Sequence, residues 1–181
     1  MKEVRWHGRG GQGSFTVARL LGAAAVLVED KHALAFPSFG PERRGAPVTG
    51  FTRIDDEKIR DRSEVTSCDY VVVLDETLID ANTSKGLRDG GKIIVNTMDT
   101  AQYADILGQE PIGLDATTLA LEHLGRPITN TAMLGALVAV SGVVSLDAAI
   151  GAVESEMKAS IAKKNVGLVQ AAHDMVKEAL K

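Results

Sequence analysis

Between a short apolar-alternating run, Val4 to His7, and a helix-forming stretch beginning near Ser14 stand Gly8-Arg9-Gly10-Gly11-Gln12-Gly13. The order strand, glycine loop, helix belongs to open α/β folds. Glycines allow backbone angles and close approaches that a Cβ would block. A helix starting directly after such a loop offers unpaired N–H groups and the positive end of its dipole to an anion. Two readings stay open at this stage: a phosphate or cofactor contact, and a tight turn that only packs the chain.

The remaining pattern extends the α/β reading. Ser14 to Val28 is rich in Ala, Leu and Val and forms a mostly buried helix, with Ser14 or Thr16 available as a cap. Lys31 to Phe36 and Val48 to Ile54 read as strands. Tyr70 to Leu74, ending at Asp75, and Lys92 to Asn96, introduced by Gly90-Gly91, read as strands buried on both faces, as in a parallel sheet. A crossover helix is expected over Thr77 to Leu87. Ile112 to Leu114 adds a short strand, followed by a helix to His123 that Gly125 and Pro127 terminate. Asn130 is expected to cap an apolar helix reaching Val144. Ser145 precedes another helix, and Asn165 to Leu180 forms the last. The expectation is one domain over residues 1–181: a three-layer α/β/α sandwich with a Rossmann-like start, a mostly parallel sheet and a helical C-terminal part.

A dinucleotide site of this type carries an acidic residue about twenty positions past the loop, at the end of the second strand. Here Glu29 and Asp30 fall at the helix end, and the second strand runs into Phe36-Pro37, which weighs against that ligand. The second distinctive block is Phe36-Pro37-Ser38-Phe39-Gly40-Pro41-Glu42-Arg43-Arg44-Gly45-Ala46-Pro47. Prolines stiffen its flanks, so Arg43 and Arg44 read as guanidinium groups for a phosphate, a carboxylate or an acidic surface, or as solvated charges. Phe36 and Phe39 are expected to pack this loop down.

Composition excludes several classes. The single cysteine, Cys68, cannot form an intrachain disulfide and cannot hold an iron–sulfur cluster, which needs about four cysteine ligands. Redox metal, if any, lies on another chain. His7, His32, His123 and His173 show no metal spacing. The net charge of −4 hides a basic start: residues 1–53 hold 8 Lys/Arg against 4 Asp/Glu, and the rest 12 against 20. That balance suits an anionic ligand or acidic partner, while 4% aromatics leave little for base stacking, so nucleic acid is set aside. No apolar stretch reaches the ~20 residues of a membrane span and no signal segment opens the chain, so a cytoplasmic protein is expected. Ser14 and Ser38 lack a base-and-orienter arrangement, and no catalytic residue is assigned. The apolar stretches Leu20 to Val28 and Ala132 to Val144 suggest either a partner chain or an internal helix.

The two blocks, Gly8 to Gly13 and Phe36 to Pro47, together resemble the gamma subunit, or gamma domain, of the 2-oxoacid:ferredoxin (acceptor) oxidoreductases, the group containing pyruvate synthase. The Tyr70 to Asp75 strand, Gly90-Gly91 and the Asn130 to Val144 helix are similar to that family's layout as well, so the resemblance covers nearly the full length. It implies a CoA-dependent oxidative decarboxylation of a 2-oxoacid, with pyruvate the leading substrate, carried out by a multisubunit enzyme. Thiamine diphosphate, magnesium, 4Fe–4S clusters and coenzyme A would then sit with alpha, beta and delta subunits, electrons would leave to ferredoxin, and this chain alone would be inactive. The resemblance implies a role in assembly and in access of coenzyme A, with Gly8, Arg9, Gly10, Gly11, Gln12, Gly13, Arg43 and Arg44 as the contact residues. A stand-alone Rossmann-like nucleotide-binding protein and a pure scaffold are the competing readings.

Overall fold

The computed structural model describes residues 1–38 and 44–181. A six-stranded sheet has the order β2-β3-β1-β4-β5-β6. Its strands are β1 (Lys2–Arg9), β2 (His32–Pro37), β3 (Pro47–Asp55), β4 (Cys68–Val73), β5 (Leu87–Asn96) and β6 (Ile112–Leu114). The pairs β1–β4, β4–β5 and β5–β6 are parallel, whereas β3 runs antiparallel to both β1 and β2. The helices are α1 (Ser14–Glu29), α2 (Ala104–Leu107), α3 (Ala116–Leu124), α4 (Asn130–Ser141), α5 (Leu146–Glu156) and α6 (Ala159–Ala179). The expected α/β class holds.

The layers on the two faces are unequal. Helices α1 and α3 to α6 share one core with Val4, Trp6, Val72 and Ile94. The opposite face, carrying Phe51, Val71, Val73, Ile93 and Val95, is covered by connecting segments through Val65, Ile79 and Tyr103 and by Leu107 of the one-turn helix α2. The helix expected over Thr77 to Leu87 does not form: a single 3₁₀ turn at Glu76–Leu78 is followed by turns. Asp80 accepts from the Asn82 amide at 2.8 Å, and the Thr83 hydroxyl accepts from the Asp80 amide at 2.9 Å. Such local side-chain bonds compete with helix.

Three helix boundaries also differ from expectation. The cap of α1 is Gly13, in the left-handed region at φ 82°, with no side-chain cap from Ser14 or Thr16. Thr129, not Asn130, precedes α4, which stops at Ser141 because Gly142 turns left-handed at φ 57°. Helix α6 begins at Ala159, ahead of Asn165, whose Oδ1 accepts a buried 2.7 Å bond from Thr131 of α4. Residues Asn130 to Ala139 are all buried, so this apolar helix is internal and explains itself without a partner. Among the described residues, no helix is long and apolar enough to cross a membrane.

Candidate functional site

Helix α1 is locked to the sheet just below the glycine loop. The Trp6 indole donates to Thr52 Oγ1 at 3.1 Å, and that hydroxyl donates to the Ala18 carbonyl at 2.9 Å. Gly50 lets β3 run against the first turn of α1: a Cβ there would stand 2.8 Å from the Ser14 carbonyl oxygen. The start of α1 is thereby fixed relative to the C-terminal end of β1, where the loop must turn.

The two sequence blocks meet in space. Gly10 and Arg44 form an isolated parallel bridge, in which the Gly10 amide donates to the Ala46 carbonyl at 2.8 Å and the Gly45 amide to the Gly10 carbonyl at 3.1 Å. Arg9 adds a 3.1 Å bond to the Gly45 carbonyl. The loop thus acquires a short strand-like wall from the second block. Arg44 is exposed on that wall, and Arg43 lies outside the described residues, as does Phe39. Phe36 packs against Phe51, ring centroids 5.2 Å apart, as expected for a residue that holds the loop down.

Arg9 is already engaged. Its Nε donates to Asp75 Oδ2 at 3.1 Å and its Nη2 to the Thr77 hydroxyl at 2.8 Å. Gln12 donates to the same Asp75 oxygen at 2.9 Å and accepts from the Arg9 amide at 2.7 Å. The other Asp75 oxygen takes the Thr77 amide and hydroxyl. Burial works against the charge of Asp75, but these donors together with Arg9 outweigh it and hold its pKa below the ordinary value. Asp75 is thus committed to holding the loop, and Glu29, whose carboxylate pairs with Lys31, sits at the far end of α1.

Two cavities flank the loop. One, of about 380 Å³, opens over the C-terminal ends of β1, β4 and β5 and is lined by Gln12, Asp75, Glu76, Asn96, Thr117 and Thr129 among others. Its carboxylates make it a poor anion site. The other, of about 400 Å³, is lined by Arg9, Gly10, Gly13, Ser14, Thr16 and Pro37 among others, at the start of α1. No acidic residue occupies the first turn of α1, and the Ser14 hydroxyl is turned inward against Gly8, without a hydrogen-bond partner among the described residues. The helix dipole and the glycine-lined wall give this second cavity the character of an oxyanion site. Sequence spacing gave no sign that Asn130 adjoins Gly13, or that Thr129 and Thr117 line the neighbouring cavity.

Other singled-out residues are structural. His7 Nε2 accepts from Arg5 Nε at 2.9 Å; burial and that guanidinium push its pKa down to about 4, against a smaller pull from Asp80. Cys68 is buried and burial raises its thiol pKa, the opposite of a reactive thiolate. Among the described residues no group of three or more His, Cys, Asp or Glu side chains is placed to hold a metal ion. With one cysteine, the chain does not fit an iron–sulfur cluster.

Residues 3–179 match the family model described as Pyruvate ferredoxin/flavodoxin oxidoreductase. The chain is 48% identical over 170 residues to the pyruvate/ketoisovalerate oxidoreductases common subunit gamma of Thermococcus litoralis, covering 91% of each. It is 47% identical over 180 residues to pyruvate synthase subunit PorC of Methanothermobacter marburgensis, covering 98% of each. The crystal structure of pyruvate oxidoreductase subunit PORC from Thermotoga maritima superposes with a TM-score of 0.84 at 36% identity, covering 96% of this chain and 95% of that one.

Proposed function

The chain belongs to the pyruvate ferredoxin/flavodoxin oxidoreductase family, as a gamma subunit of a 2-oxoacid oxidoreductase complex, and we propose that it forms one domain that shapes the access of coenzyme A to that complex. In this reading the complex decarboxylates pyruvate oxidatively to an acyl-CoA and CO₂ in the cytoplasm. Thiamine diphosphate, magnesium and 4Fe–4S clusters reside on alpha, beta and delta subunits, and ferredoxin takes the electrons. When bound, those groups supply the carbanion and electron chemistry; this chain's part is binding and orientation.

The observation that supports the reading is the joining of the two blocks at the Gly10–Arg44 bridge, beside a cavity with oxyanion character. Within the Gly8 to Gly13 loop, Gly10, Gly11 and Gly13 line the cavity, Arg44 stands exposed on the bridged segment beside it, and Arg43, its neighbour in the sequence, is assigned the second charge. Arg9 contributes through position rather than charge, because Asp75 neutralises it. Charge reversal at Arg43 and Arg44 in the reconstituted complex is expected to raise the KM for coenzyme A about tenfold or more, the loss of a charge-assisted contact, with kcat for the half-reaction without CoA unchanged. If neither assembly nor this KM changes, the assignment is wrong.

A further inference from the structure

Among the described residues, strand β2 is an edge of the sheet paired only with β3. It reads His32-Ala33-Leu34-Ala35-Phe36-Pro37, without a lysine, arginine or carboxylate. Edge strands are ordinarily defended by charge, proline, bulges or a covering element; here Pro37 guards only the end of the strand, and the apolar run before it is a template for another strand.

The hydrogen-bonding phase of this edge follows from its ladder. Ser38 donates to the Thr49 carbonyl at 2.7 Å, so Ser38 and, two residues apart, Phe36, Leu34 and His32 point their backbone groups toward β3. Ala33, Ala35 and Pro37 therefore point theirs outward. Ala33 and Ala35 each offer one donor and one acceptor, while Pro37 offers only a carbonyl. A two-fold axis through Leu34 sets Ala33 opposite Ala35 of a second copy, and each alanine both donates and accepts. An axis one pair further along would place Pro37 in the ladder and lose donors.

The helix side of the edge is apolar. Val26, Leu27 and Val28 of α1 are 46%, 58% and 50% exposed. A groove of about 300 Å³ between α1 and β2 is lined by Gly22, Ala23, Val26, Leu27, Ala33 and Ala35. Its rim carries the Arg19–Glu156 ion pair, at 2.9 Å, one charge of each sign per copy. Because these two charges already neutralise each other within one copy, two copies meeting here bring no unpaired like charges together. Small residues at the edge admit the Val26–Leu27 shoulder of the neighbour.

We propose that β2 pairs antiparallel with β2 of a second copy of this chain about a two-fold axis at Leu34, joining two sheets into one and covering the Ala23–Leu27 groove. This contact is separate from the glycine loop and does not depend on the coenzyme A reading.

Sedimentation equilibrium of the full chain from about 1 to about 100 µM tests it, the range over which mass action reveals a weak dimer. The wild type is expected at twice 19.1 kDa at the upper end. Ala35→Pro removes only an outward donor, which an edge strand tolerates, and is expected to raise the dissociation constant about tenfold or more while the circular dichroism spectrum is unchanged. Leu34→Cys provides an independent check, because the axis sets the two residues ~4.5 Å apart at Cα and within disulfide reach. It should cross-link on oxidation. A wild type that stays monomeric over the whole range, a dimer indifferent to Ala35→Pro, or a dimer in which Leu34→Cys does not cross-link would each overturn the proposal. A β2 edge taken up only by another subunit of the complex would show as the first of these outcomes.

Discussion

The Asn130 side-chain Nδ2 lies 2.5 Å from the place a Cβ on Gly13 would occupy, so the starts of α1 and α4 meet with no room for a methyl group unless that side chain moves. Gly13→Ala faces that clash and a φ of 82° together, and is expected to cost about 1–3 kcal/mol. Adding Asn130→Ala should recover the steric part and leave the backbone part. Denaturant midpoints of the two single variants and the double variant measure the coupling; strictly additive losses would contradict the contact.

Asp75 is the shared acceptor of Arg9, Gln12 and Thr77. Asp75→Asn keeps the size but turns one acceptor into a donor facing donors. A loss of about 1–3 kcal/mol is expected, together with faster amide exchange at Gly10 and Gly11. Arg9→Lys should cost less, about 1 kcal/mol, since the pair is partly exposed. Unchanged exchange in Asp75→Asn would mean that the carboxylate does not order the loop.

His7 gives a pH dependence of definite sign. Its native pKa, about 4, lies below the ordinary 6.5, so between these values the unfolded chain binds a proton that the native chain refuses. The contribution to stability is complete above pH 6.5 and is lost as pH falls toward 4. Urea unfolding of the wild type from pH 7.5 to 4, against His7→Gln, should show a steeper decline for the wild type. Parallel curves would remove His7 as the cause.

On the thinly covered face, Arg53 and Glu3 form a buried 2.7 Å pair, and Arg53 also binds the carbonyls of Asp61 and Ser63. Arg88 joins Glu3 to Asp69. Arg53→Met strands part of the Glu3 charge and frees residues 56–67, with an expected loss of about 3–5 kcal/mol. Limited proteolysis should then cut within that segment first. Restoring much of the loss with Glu3→Gln would identify the stranded charge as the reason.

Much of the fold was legible because strand and helix runs are long and locally consistent: β1, β3, β6, α1 and α3 fall within a residue or two of expectation. The 77–87 segment misled because its apolar residues suggest a helix while Asp80, Asn82 and Thr83 bond locally. Strand β5 starts earlier than the Lys92 to Asn96 run, since its first residues are polar and Arg88 is held by tertiary ion pairs. Both distinctive blocks were visible in the sequence, but their contact through Gly10 and Arg44 was not. Nor was the neutralisation of Arg9, because Asp75 is remote in the chain and has no spacing that marks it as a partner.

The junction of Gly13 with Asn130 roots the glycine loop in the most enclosed helix of the molecule. Close-packed interiors resist continuous deformation. A fitting mounted on such a foundation does not swing by itself, so any opening or closing at this mouth would be a displacement of the subunit as a solid body against its neighbours.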